Sequence, residues 1–323
     1  MVRSRPDAVI ETRRLCRAFG SRNHQIDAVN GIDLDVMRGE VFGLLGPNGA
    51  GKTTTLRMLS TLLPASSGSA WVVGCELATQ LSTIRQRIGY VGQAGGTDPE
   101  MVGRAEIVFQ GRLYGLTRTA AEMRAAELID MLDLGDAADR KVATYSGGQK
   151  RRLDVALGLV HDPELLFLDE LTTGLDPQSR ARVWQEVHRM HDRGTTVFLT
   201  THYLDEADAL CDRVAIMDYG QIVAEGTPRE LKRAVSGDVV RLRVASEPER
   251  ALELMKQQEF VREARLEGGV VHLHVDRGES AIPAILRLLD MTGLQLTTFE
   301  LHRPSLDDVF LRQTGRSLRD SAS

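Results

Sequence analysis

Residues 46 to 54 read Gly-Pro-Asn-Gly-Ala-Gly-Lys-Thr-Thr, and the apolar run Val41-Phe-Gly-Leu-Leu45 stands directly before them. The spacing is Gly46, four residues, then Gly51-Lys52-Thr53, followed by a helical pattern from Lys52 to Leu62. Strand, glycine-rich loop and helix in this order form a phosphate cradle at the C-terminal edge of a parallel strand, which confines the chain to an α/β fold. The glycines at 46, 49 and 51 allow the backbone N–H groups and the helix N-terminus to converge on one anion. Lys52 adds a mobile positive charge for the outer phosphates, and the Thr53 hydroxyl is placed to ligate Mg²⁺. A nucleoside triphosphate is the ligand this arrangement implies.

A second apolar run, Leu165-Leu-Phe-Leu168, ends in Asp169-Glu170. A parallel strand delivers such carboxylates to the edge where open α/β sheets bind ligands. Asp169 is suited to hold Mg²⁺, and Glu170 to orient and deprotonate a water. Phosphoryl transfer needs chiefly positioning and charge stabilisation, which these groups supply. Between the two strands, Ser146-Gly-Gly-Gln149 precedes the helical run Leu153–Val160. Ser146 reads as an N-cap, with Gly147 and Gly148 exposing N–H groups at a helix start. Taken alone, this segment also fits an ordinary capped helix.

Together these segments resemble the nucleotide-binding subunit of an ATP-binding cassette (ABC) transporter. Ser146, Gly147, Gly148 and Gln149 match the signature motif that other P-loop ATPases lack, and the resemblance spans roughly residues 9 to 235. It implies a P-loop cassette with a mixed sheet core and a helical subdomain, using ATP and Mg²⁺. On this resemblance Gly46, Pro47, Asn48, Gly49, Ala50, Gly51, Lys52, Thr53 and Thr54 hold the phosphates, and Phe19 stacks on adenine. A core Phe beside a strand is the competing reading of Phe19. Gln93 falls at the Q-loop glutamine, which joins Thr53 and Asp169 around the metal. Gly174-Leu-Asp176-Pro matches the D-loop, and His202 the switch histidine. Glu170, His202 and Lys52 are thereby the catalytic set. Two positions depart from the pattern: Tyr145 stands where Leu is usual, and Leu171 where Pro is usual. Leu171 restores a backbone N–H and loosens φ after Glu170.

The resemblance further implies a head-to-tail dimer, either of identical subunits or with a paralogue, in which each signature acts on the nucleotide of the other copy. It also implies a separate polytopic permease. The segment from Ala94 to Leu116 is where the family grips that partner, although Ile107, Phe109, Leu113 and Tyr114 are spaced equally well for a buried helix.

Composition bears on location. No stretch approaches the roughly 18 apolar residues of a membrane span, and the N-terminus lacks the apolar run of a secretory signal. The expectation is a peripheral protein on the cytoplasmic face of the membrane. Forty-five acidic against forty basic side chains give a formal charge of −5, which offers no electrostatic case for nucleic acid. Cys16, Cys75 and Cys211 are isolated and read as reduced thiols.

Past Gly226 the pattern changes, with Ser236-Gly237 as the expected boundary between a cassette of residues 1–235 and an accessory domain of residues 236–313. Strands over 239–244, 261–266, 270–275 and 296–302 and helices over 248–258 and 280–291 give βαββαβ, a small ferredoxin-like α+β unit. Alternation in Val270–Val275 puts His272 and His274 on one face. Two His without a third ligand read as a solvated strand face. Ser305 caps a closing helix with Leu306, Val309 and Phe310 at helical spacing, docked on its own domain or on the cassette, and residues 314–323 read as a polar tail. This ending is similar to that of the daunorubicin-resistance type of ABC ATPase, which implies efflux of a drug or natural product. The alternatives are a soluble ABC ATPase acting on ribosomes or DNA, against which the single uninterrupted cassette argues, and an importer ATPase, against which only the C-terminal ending argues.

Overall fold

The computed structural model describes residues 7–21, 24–235, 238–302 and 304–315. Ser236, Gly237, Arg303 and the tail from residue 316 lie outside the described residues. Two compact units divide between Pro228 and Arg229.

The first unit begins with two long antiparallel strands, β1 (Ala8–Ser21) and β2 (His24–Met37), followed by β3 (Val41–Leu45) and α1 (Lys52–Leu59). Next come β4 (Ser67–Val72), β5 (Cys75–Glu76), α2 (Leu81–Arg87) and β6 (Ile88–Val91). The helical portion is α3 (Gly103–Leu113), α4 (Arg118–Met131), α5 (Gly135–Ala138) and α6 (Gly147–Leu159). The unit closes with β7 (Leu165–Asp169), α7 (Pro177–Asp192), β8 (Thr196–Thr201), α8 (Leu204–Leu210), β9 (Arg213–Asp218) and β10 (Gln221–Gly226).

Strands β3, β7 and β8 are buried along their whole length, as continuous apolar runs covered on both faces require. They form the middle of a six-stranded sheet in the order β10-β9-β3-β8-β7-β6, parallel from β9 to β6. A four-stranded antiparallel sheet, β2-β1-β4-β5, accompanies it. One core joins the two sheets and α1, with Ile10, Leu34, Leu56, Phe42, Phe167 and Phe198 among its buried members. Helix α6 crosses β6 at backbone contact. A Cβ on Gly89 would lie 2.3 Å from the carbonyl oxygen of Gly158, so neither a larger residue nor a looser crossing fits there.

The expected helix from Lys52 to Leu62 ends early, at Leu59. Thr61 takes a left-handed φ of 67°, and the amides of Leu62 and Leu63 both turn back to the Arg57 carbonyl. This closes the helix end on itself before Pro64. Phe109, Leu113 and Tyr114 are exposed while Ile107 is buried, so α3 serves the core on one side and presents an apolar surface on the other. Cys16, Cys75 and Cys211 are free thiols.

The second unit comprises α9 (Pro228–Val235), β11 (Asp238–Val244), α10 (Pro248–Lys256), β12 (Val261–Glu267), β13 (Val270–Val275), α11 (Gly278–Thr292), β14 (Leu296–His302) and α12 (Leu306–Thr314). The strand order β12-β13-β11-β14, antiparallel throughout, is the ferredoxin-like arrangement. Val271, Leu273 and Val275 face α10 and α11 in the core, and His272 and His274 alternate to the other face. Residues Thr314 and Gly315 are not part of a tail: Thr314 closes α12, its hydroxyl donating to the Phe310 carbonyl, and Gly315 caps the helix at a left-handed φ of 77°. Arg312 ties α12 to α9 by donating to the carbonyls of Ala234 and Val235.

Because Leu273 is fully buried at the centre of this sheet, Leu273→Ala is expected to destabilise the second unit by about 2–5 kcal/mol. Denaturant unfolding of the purified variant would show the loss.

Candidate nucleotide site

The loop after β3, Gln93 after β6, Asp169 and Glu170 at the end of β7, and His202 after β8 all emerge at the C-terminal edge of the parallel sheet. They enclose a cleft of roughly 640 Å³ lined by Asn48, Gly49, Gly51, Lys52, Thr53, Thr54, Gln93, Glu170, Thr173 and His202, with Ala28 of β2 as one wall. Helix α1 starts at Gly51 with no side-chain cap and no acidic residue in its first turn, so its orphan N–H groups are free to meet an anion. Gly51 has a φ of 107°, and a Cβ there would lie 2.3 Å from the Ala28 carbonyl oxygen. Gly46 owes its identity to packing as well: its Cβ would lie 2.3 Å from the Met217 carbonyl oxygen, so the close approach is to the neighbouring strand. Gly46 and Pro47 do not line the cleft; their carbonyls accept from Lys52 Nζ at 2.8 and 3.0 Å. Ala50 is buried beneath the loop and accepts from the Gly220 amide at 2.9 Å.

Glu170 is gripped from several directions. Oε2 accepts from Gln93 Nε2 at 3.0 Å and from Thr173 Oγ1 at 3.3 Å, while Oε1 lies 3.5 Å from His202 Nδ1 and 3.6 Å from Lys52 Nζ. Its backbone adopts a left-handed φ of 48°, sparsely populated for a residue with a side chain, and its amide donates to the carbonyl and the hydroxyl of Thr200. The His202 imidazole and then the Lys52 charge hold the Glu170 carboxyl below its ordinary range, against burial, which raises it. Burial pushes Lys52 down, opposed by Glu170 and Asp169.

Asp169 Oδ1 accepts from Thr53 Oγ1 at 3.0 Å and from Thr200 Oγ1 at 2.7 Å. Its other oxygen, Oδ2, is buried without a hydrogen-bond partner among the described residues. A buried carboxylate oxygen left unpaired beside a hydroxyl fits a divalent cation. Gln93 spends its amide nitrogen on Glu170, so its carbonyl oxygen is the end it offers a metal.

The remaining residues lie outside the cleft. Ser146 caps α6 in a reciprocal box, its hydroxyl accepting from the Gln149 amide and the Gln149 side chain accepting from the Ser146 amide. Ser146 and Gly147 are exposed, with Gly148 and Gln149 partly so. Asp176 caps α7, accepting from the amide and hydroxyl of Ser179. Phe19 is 39% exposed and so is not a core side chain. It pairs with Ile26 two residues from the Ala28 wall, and the Arg17 guanidinium lies 4.7 Å from its ring centroid.

The departures from the family pattern are accommodated. Tyr145 is buried and its hydroxyl donates to the Ala137 carbonyl at 2.7 Å, away from the helix start that follows it. Leu171 is buried, and its carbonyl accepts from Arg151 Nε at 2.6 Å. Thr200, Thr173 and Arg151 are the residues that sequence reading missed. The Lys150-Arg151-Arg152 run inside an apolar helix was the signal for the last of them.

Residues 29–173 match the family described as ABC transporter, and residues 226–314 the ATP-binding protein DrrA1-3-like C-terminal domain. The chain is 44% identical to the daunorubicin/doxorubicin resistance ATP-binding protein DrrA of Streptomyces peucetius, over 99% of this chain and 96% of that one. The chain belongs to the daunorubicin-resistance type of ABC ATPase. This ABC ATPase is also 35% identical to the linearmycin resistance ATP-binding protein LnrL of Bacillus subtilis, over 97% of this chain and the whole of that one. Among solved structures it is similar to cbiO1 of Clostridium perfringens, part of the ABC transporter complex cbiONQ, at 27% identity with a TM-score of 0.63, covering 70% of this chain and 90% of that one. As a member of this family the chain binds ATP and hydrolyses it.

With Lys52 as the cleft's buried cation, Lys52→Ala is expected to weaken ATP binding at least about tenfold, the loss of one charge-assisted contact. Titration with a fluorescent ATP analogue measures it, and unchanged affinity would remove Lys52 from the site.

Proposed function

We propose that this ABC ATPase is the motor subunit of an exporter that moves a drug or natural product through a separate membrane subunit. The observation that carries the reading is the division of the site: Glu170, Lys52, Gln93 and His202 meet in one cleft, while the Ser146 end of α6 is exposed and does not line it. An open, capped helix start of this kind is completed by the nucleotide of another copy. A two-fold pair, of identical chains or with a paralogue, uses both surfaces twice and closes.

In this reading the α1 N-terminus and Lys52 hold the phosphates, and Phe19 stacks on the base. Thr53 Oγ1, Asp169 Oδ2 and the Gln93 carbonyl oxygen would hold Mg²⁺, which supplies charge for the β- and γ-phosphate oxygens. Glu170 accepts a proton from a water as the water oxygen bonds to the γ-phosphorus and the bond to ADP breaks. Held low by His202 and Lys52, the carboxyl is ionised and ready to accept. His202 orients it from the Oε1 side and senses the γ-phosphate, while Asp176 shapes the loop at the dimer seam. Hydrolysis removes the phosphate bridging the two copies, so they part.

Delivery of that motion needs a membrane partner, since among the described residues no helix is long and apolar enough to cross a membrane. A cleft of roughly 440 Å³ beside the Gln93 loop is lined by Tyr90, Gly95, Gln110 and Tyr114, and α3, which carries Gln110, also exposes Phe109 and Leu113. It suits a short helix of a permease, and in this reading the subunit works at the cytoplasmic face of the membrane. Export rather than import is supported by the match of residues 226–314 and by the resistance functions in the relatives' names.

Glu170→Gln is expected to keep ATP binding, lower turnover at least about 100-fold, and accumulate an ATP-bound dimer on size-exclusion chromatography. Normal turnover in that variant would refute the catalytic assignment. Affinity capture from detergent-solubilised membranes should recover a polytopic protein; ribosomes or nucleic acid without one would overturn the transporter reading.

A further inference from the structure

Arg151 lies on α6 five residues after Ser146, about 7–8 Å along the helix axis at 1.5 Å per residue. Its side chain is 8% exposed, and it spends its donors on backbone carbonyls of other segments. Nε donates to Leu171 O at 2.6 Å, Nη1 to Gly92 O at 2.7 Å, and Nη2 to Asp169 O and Glu170 O, each at 3.3 Å. Asp154, one turn on, lies 3.7 Å from Nη1 and accepts from the Gly96 amide at 2.8 Å. One guanidinium thus grips the residue before Gln93 and the backbone that carries Asp169 and Glu170. Those are the two segments whose side chains meet in the Gln93–Glu170 hydrogen bond.

We propose that Arg151 is a positioning residue that sets Gln93 and Glu170 relative to one another, and that α6 links the signature end offered to one nucleotide with the general base acting on the other. The inference rests on the assignment of Glu170 as base and Ser146 as a contact made to the other copy. The link is the unbroken start of α6, capped at Ser146, so a displacement at Ser146 is carried to Arg151 through hydrogen-bonded helical turns. Glu170 holds its left-handed backbone with both flanking carbonyls, those of Asp169 and Leu171, and its own drawn to this one side chain. A planar fork with five donors can serve these carbonyls together; an ammonium, a compact point charge with three, cannot hold the same geometry.

The test uses the full-length chain, its ATPase rate and its ATP affinity measured separately. Arg151→Lys is expected to lower kcat by about 10- to 100-fold, the cost of misplacing a reacting group by about 1 Å, with ATP dissociation constant within about threefold of wild type. Hydrogen exchange at the Leu171 to Thr173 amides should quicken in the same variant. Asp154→Asn, which leaves the guanidinium in place but loosens it, should lower kcat about 3- to 10-fold with the same unchanged affinity. Full kcat in Arg151→Lys, or loss of affinity in step with kcat, overturns the inference. If Arg151→Lys does not fold, unaltered kcat in Asp154→Asn overturns it. An active Arg151→Lys beside an inactive Glu170→Gln defeats this inference alone, whereas an active Glu170→Gln defeats the assignment on which it rests.

Discussion

Everything at the nucleotide edge is organised around one carboxylate. Glu170 takes contacts from Lys52 after β3, Gln93 after β6, Thr173 in its own loop and His202 after β8. Lys52, Gln93 and His202 reach it together because β6, β7, β8 and β3 run parallel in that order, so that their C-terminal ends share one edge. The fully buried strands, the left-handed turn at Glu170 and the guanidinium behind it are all conditions for holding that group in place. Opposed forces act on it: burial favours the neutral acid, while the imidazole and ammonium favour the anion and prevail.

Much of this was legible in the sequence because it is written locally. The loop from Gly46 to Thr54, strand β3 over Val41–Leu45 and the βαββαβ order past Asp238 each depend on patterns a few residues long, and the structure places them as their spacing implies. The less legible parts depend on contacts between distant segments. Arg151 reaches Gly92 and Leu171, separated from it by 59 and 20 residues, and grips carbonyls that any residue carries. No side-chain pattern in those partners announces the bond. The end of α1 departs from the apolar spacing for a related reason: Leu62 continues the pattern, yet Thr61 turns left-handed and Leu62 itself stays exposed.

The two departures from the family pattern show how substitutions settle into such a site. Tyr145 carries a polar end into the interior, and the Ala137 carbonyl satisfies it, so the larger residue leaves no unpaired group behind. Leu171 fills a buried position and gives its carbonyl to Arg151. Order that proline would impose by fixing φ is supplied here by a hydrogen bond, which can be released and remade.

The bond from Arg312 to the end of α9 has a consequence for the second unit as a whole. Its first helix and its last are clasped together, so the stretch between them forms a loop whose two ends meet at one point. A segment closed in this way has its entry and its exit side by side within its own unit. Such a segment can be gained, exchanged or lost in descent without cutting through a core.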